Sequence, residues 1–79
     1  MQEYVIAFRD WDGTLITTSI FADTDVDALR AAMERVGTRP ARGGRSARLV
    51  SVISERRGSE IYRNDDLLRD VGHPRGRRR

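Results

Sequence analysis

Two carboxylates one residue apart, Asp10 and Asp12, are followed by Gly13, Thr14 and Leu15 and preceded by the apolar run Tyr4-Val5-Ile6-Ala7-Phe8. A carboxylate can act as a nucleophile where a neighbouring acid serves the leaving group, and this spacing supplies two such groups side by side. The same residues serve a structural end equally well. Asp-Gly between two β-branched or aromatic runs is the strongest short-range hairpin signal, because a type I′ turn needs positive φ at both central residues.

The segment Val5-Ile6-Ala7-Phe8-Arg9-Asp10-Trp11-Asp12-Gly13-Thr14-Leu15 resembles the first motif of the haloacid dehalogenase family, an apolar strand ending in Asp-x-Asp-Gly-Thr-Leu. The resemblance implies Asp10 as nucleophile and Asp12 as general acid/base of a magnesium-dependent phosphatase. It covers eleven of the 79 residues. The family it resembles uses a three-layer parallel α/β domain, and adds a Ser or Thr, a basic residue that is usually Lys, and a further acidic pair. Ser51 or Ser54, an arginine and Asp65-Asp66 are the nominees here, the chain has no lysine, and the two serines fall on a segment that reads as an antiparallel strand. A motif needs its structural context. The expectation is therefore a hairpin turn in a non-enzymatic domain, with no catalytic residue, cofactor or metal.

The second group of residues with chemical content is basic. Arg39, Arg42, Arg45 and Arg48 recur at every third position around Gly43-Gly44, and Arg75, Arg77, Arg78 and Arg79 close the chain. Such guanidinium groups could neutralise phosphates, with the Gly-Gly backbone as an anion nest. Residues 1–38 carry three arginines against seven acids, a net of −4, and residues 39–79 carry twelve against five, a net of +7. That asymmetry points to an acidic partner for the second half or to attraction between copies of the chain. All fifteen basic residues are arginine, which a high-GC genome, such as that of an actinobacterium or its phage, explains more simply than phosphate binding does. His73 stands alone before Pro74 and has no partners for a metal site.

The elements that must position these residues fit one small domain. A chain of this length buries only roughly 60% of its unfolded surface, and with no cysteine it has neither a disulfide nor a thiolate metal site to help. The apolar runs are too short to span a bilayer, and Met1-Gln2-Glu3 does not start like a secretion signal, so a cytoplasmic location is expected. Tyr4–Phe8 and Leu15–Ala22 read as a hairpin. Thr24 caps a helix over Asp25–Val36, whose Val26, Leu29, Met33 and Val36 form the expected core face. Residues 38–47 read as a mobile loop, Arg48–Ser54 and Glu60–Arg63 as a second hairpin, Leu67-Leu68 as a helical turn, and 71–79 as a disordered basic tail.

The fold expected for residues 1–70 is α+β, ordered β-β-α-β-β, with an antiparallel sheet in strand order 2-1-3-4 and one helix on one face. A two-residue Asp12-Gly13 loop sets Trp11 opposite Thr14 and Tyr4 opposite Phe21. It puts Val5, Ala7, Ile16 and Ile20 on one face and Tyr4, Ile6, Phe8 and Phe21 on the other. One helix cannot cover both. Tyr4, Ile6, Phe8 and Phe21 are then the expected partner face of a small protein-binding module, most simply a homodimer. The alternative is a nucleic-acid-binding protein acting through Arg39, Arg42, Arg45, Arg48, Arg75, Arg77, Arg78 and Arg79, with the sheet aromatics as a stacking surface.

Overall fold

The structure, a computed structural model, describes residues 1–65. The elements are β1 (Gln2–Arg9), β2 (Leu15–Ala22), α1 (Asp25–Gly37), β3 (Arg48–Ser54) and β4 (Glu60–Arg63). They form one antiparallel sheet in the order β2-β1-β3-β4. The fold is α+β with the expected strand order. The tail, including Arg75, Arg77, Arg78, Arg79, His73 and the Leu67-Leu68 turn, lies outside the described residues.

The hairpin register differs from the expected one by a residue. Arg9 pairs with Leu15, Phe8 with Ile16, Ile6 with Thr18, Tyr4 with Ile20 and Glu3 with Phe21. The cause is at the tip. Asp10 N donates to Thr14 O at 2.9 Å and Gly13 N to Asp10 O at 2.9 Å, and Gly13 alone has positive φ there, at 87°. This is a three-residue loop, a type I turn closed by a left-handed glycine, and not the two-residue type I′ turn, which would need positive φ at Asp12 as well. Because strand side chains alternate, the slip turns β2 over. Tyr4, Ile6, Phe8, Ile16, Ile20 and Ala22 now share one face, and the other keeps Val5, Ala7, Leu15 and Phe21 among Glu3, Arg9, Thr17 and Ser19.

The helix packs on that face. Thr24 caps it, its Oγ1 accepting from Asp27 N at 3.1 Å, and Asp25 and Asp27 lie in the first turn, where the dipole favours negative charge. Its buried residues are Ala28, Ala32 and Val36, whereas Val26 and Met33 are 65% and 59% exposed. Of the expected core face Val36 is buried and Leu29 is half-buried against the core, while Val26 and Met33 give way to the alanines, whose small side chains let the helix lie close to a sheet already filled by aromatic and β-branched residues. Tyr4, Ile6 and Phe8 join Val52, Ile20 and the helix alanines in the core. An extra residue in β3, Val50, bulges opposite the Ala7/Phe8 step, and Ile61 bulges in β4.

Candidate functional site

The correction of the register moves the expected partner face. Tyr4, Ile6 and Phe8 are 0%, 0% and 2% exposed, and of the four residues expected there only Phe21, at 59%, meets solvent. Phe21 lies on the opposite side of the sheet, with Leu15, Thr17 and Ser19 of β2 and the half-buried Val5, Ala7 and Ile53. Among the described residues, no second element covers that side.

The two sheet edges differ in kind. β4 is four residues long, begins and ends on charged side chains and is bulged against β3, all devices that discourage pairing. β2 has eight residues, Leu-Ile-Thr-Thr-Ser-Ile-Phe-Ala, without a charge, a proline or a register shift. Counting outward from the Asp10/Thr14 hydrogen bond, antiparallel alternation makes Ile16, Thr18, Ile20 and Ala22 bond to β1. Leu15, Thr17, Ser19 and Phe21 therefore direct their N–H and C=O groups away from the sheet.

At one end of the sheet the hairpin tip meets the arginine loop. Arg39 Nη2 donates to Asp10 Oδ2 at 2.7 Å and its guanidinium lies 5.4 Å from the Phe8 ring centroid. Trp11 N donates to Asp10 Oδ1 at 3.0 Å, so both carboxylate oxygens are engaged. Arg39 holds the Asp10 carboxyl below its ordinary pKa, against the opposing effect of burial. Asp12 is also lowered, first by the Thr14 N–H that its Oδ1 accepts at 3.0 Å. Both acids of the apparent catalytic motif thus brace the turn. Among the described residues no three His, Cys, Asp or Glu side chains are placed to hold a metal ion.

The segment expected to be mobile carries a turn of its own. Arg42 and Arg45 exchange both backbone hydrogen bonds at 2.9 Å, with Gly43 and Gly44 at φ 59° and 77°. Two successive positive φ values are the type I′ signature, so that turn occurs here and not at Asp12-Gly13. Arg42 lies 5.3 Å from the Trp11 ring centroid, a cation–π contact. Between the turn and the hairpin tip is a cleft of about 470 Å³, lined by Asp10, Trp11, Gly13, Gly44, Arg45, Ser46 and Arg48. The structure therefore brings Arg39, Arg42, Arg45 and Arg48 together around the tip, Arg39 as a structural brace and Arg45 and Arg48 as exposed groups.

A polar cluster at the opposite end was missed by sequence reasoning. Asp25 Oδ1 accepts from Tyr4 Oη at 2.8 Å and from Arg57 Nη2, while Arg57 Nε donates to Ser54 Oγ at 3.3 Å. This ties the helix start, β1 and the β3–β4 turn together. The local signal at Asp25, a first-turn acid, explains itself without these distant partners.

Neither family models, nor curated proteins, nor solved structures yield a match to this chain. No helix among the described residues is long and apolar enough to cross a membrane.

Proposed function

We propose that the chain is a small non-enzymatic protein-binding module of the cytoplasm that assembles with a second copy of itself through the edge of β2. The supporting observation is the eight-residue, uncharged, unbulged strand at that edge, with four residues turning their backbone donors and acceptors outward. Strand addition is a recurrent mode of recognition in which main-chain bonds give affinity and alternate side chains give specificity. Pairing two copies antiparallel about Thr18 sets Thr17 against Ser19 of the other copy, and Leu15 against its Phe21. The two most exposed apolar side chains of β2, 44% and 59% exposed, then meet on the open face at both ends of the seam. Both helices fall on the other face of one eight-stranded sheet.

Four such pairs exchange eight backbone hydrogen bonds, worth about 8 kcal/mol at roughly 1 kcal/mol each. Association itself costs roughly 4–15 kcal/mol. The backbone alone leaves little surplus, so the Leu15–Phe21 contacts decide the affinity. Sedimentation equilibrium is expected to give a mass twice the 9.0 kDa of the chain at high concentration. Thr17→Lys, which sets a charge at the middle of the seam without touching the core, returns it to the single-chain mass. A wild-type chain that stays monomeric throughout sinks the reading. Consistent with the structural roles of Asp10 and Asp12, no magnesium-dependent turnover of a generic phosphate ester is expected; turnover abolished by Asp10→Asn would count against the non-enzymatic assignment.

A further inference from the structure

We infer that the cleft between the hairpin tip and the arginine turn binds single-stranded nucleic acid, with a base stacked on the Trp11 indole face that Arg42 leaves free and Arg45 and Arg48 contacting the adjoining phosphates. The site lies at the tip of the β1–β2 hairpin and stands independently of the β2 edge.

Two observations converge. The first is charge. Five arginines, Arg9, Arg39, Arg42, Arg45 and Arg48, surround two aspartates at this end of the sheet. Asp10, which would otherwise repel phosphate, is already paired with Arg39, and Arg42, Arg45 and Arg48 form no ion pair among the described residues. The second is shape, because an indole lines a cleft of about 470 Å³ whose other side chains are Arg45, Arg48, Ser46 and the paired Asp10. Guanidinium groups beside an aromatic plane are the components with which proteins hold unpaired bases. A base within a duplex cannot enter such a cleft, since its faces are covered by its neighbours. The lining presents charge and a π-surface, which track the backbone and tolerate any base, so little sequence preference is expected.

The test uses the whole chain with a fluorescein-labelled oligothymidylate, read by anisotropy and by quenching of the single tryptophan. Two neutralised phosphates on a single strand give a salt slope of about −1.4, so affinity falls about sevenfold between 50 and 200 mM salt. The paired change Arg45→Gln and Arg48→Gln, at two exposed positions, is expected to flatten that slope. Trp11→Leu is expected to weaken binding by at least about fivefold; should it disturb the hairpin, the arginine pair still decides the matter. Binding that survives the paired change but is lost when Arg75, Arg77, Arg78 and Arg79 become glutamine places the contact in the tail and overturns the cleft. A duplex bound as tightly as the single strand, or no binding at low salt, also overturns it.

Discussion

Ala32→Leu and Met33→Gln, adjacent on α1, are expected to have opposite consequences. Ala32 has no exposed surface and packs with Ala28 and Val36 against the sheet, whereas Met33 is 59% exposed. Leucine at 32 forces three extra carbons between helix and sheet, and overpacking of that kind costs roughly 1–3 kcal/mol. For a domain of this size the whole stability is only about 4–12 kcal/mol, and each kcal/mol moves Tm by about 4–8 °C. A fall of roughly 5–20 °C should follow, read by circular dichroism at 222 nm. Met33→Gln exchanges residues of similar helix propensity at a solvated position, and should stay within about 0.5 kcal/mol of the parent. Had the helix presented Val26 and Met33 to the sheet, the pattern would invert. Burying glutamine at 33 would then cost at least about 2 kcal/mol, and leucine at 32 would sit harmlessly in water. A large loss for Met33→Gln beside an unchanged Ala32→Leu refutes the packing described here.

Gly13→Ala meets no neighbour within 4 Å, but its φ of 87° is a conformation that costs other residues about 1–2 kcal/mol, which urea unfolding should show with an unchanged slope. Asp25 lies below its ordinary pKa because of Arg57 first and Tyr4 second. Its stabilisation is therefore present above the ordinary carboxylate range and lost as pH falls through the lowered value, so Asp25→Asn should flatten the acid limb of Tm against pH. Tyr4 is raised above 10.0, by burial first and then by Asp25. That contribution is full below pH 10.0 and disappears as pH climbs through the raised value, and Tyr4→Phe should flatten the alkaline limb. Arg42→Ala removes the cation over Trp11 and should shift the emission of the single tryptophan while leaving Tm almost unchanged.

Most of the architecture was legible in the sequence, and the exceptions have physical causes. The bounds of β2, β3 and β4 follow from β-branched runs between turn residues, and the capping Thr24 marks the start of α1. Register was not legible, because Asp-Gly satisfies two hairpin loops that differ by one residue and the choice depends on the φ of Asp12. The helix face was legible in part. Val36 and the half-buried Leu29 do pack toward the sheet, but a sheet filled by Tyr4, Phe8 and Ile20 takes the small Ala28 and Ala32 in place of Val26 and Met33. Of the candidate sites, the clustering of the arginines was legible in their spacing. Their approach to Trp11 and Asp10 was not, since it joins segments some 29 residues apart.

The three-residue tip has an implication for how such a chain could diverge. A loop of two or four residues between Asp10 and Thr14 would still join the same strand pairs, whereas one residue gained or lost within β2 itself would shift its pairing and turn part of the Ile16, Ile20 and Ala22 set out from beneath the helix. Changes of length are thus absorbed at the tip and punished in the strand, and viable insertions or deletions should gather between Asp10 and Thr14.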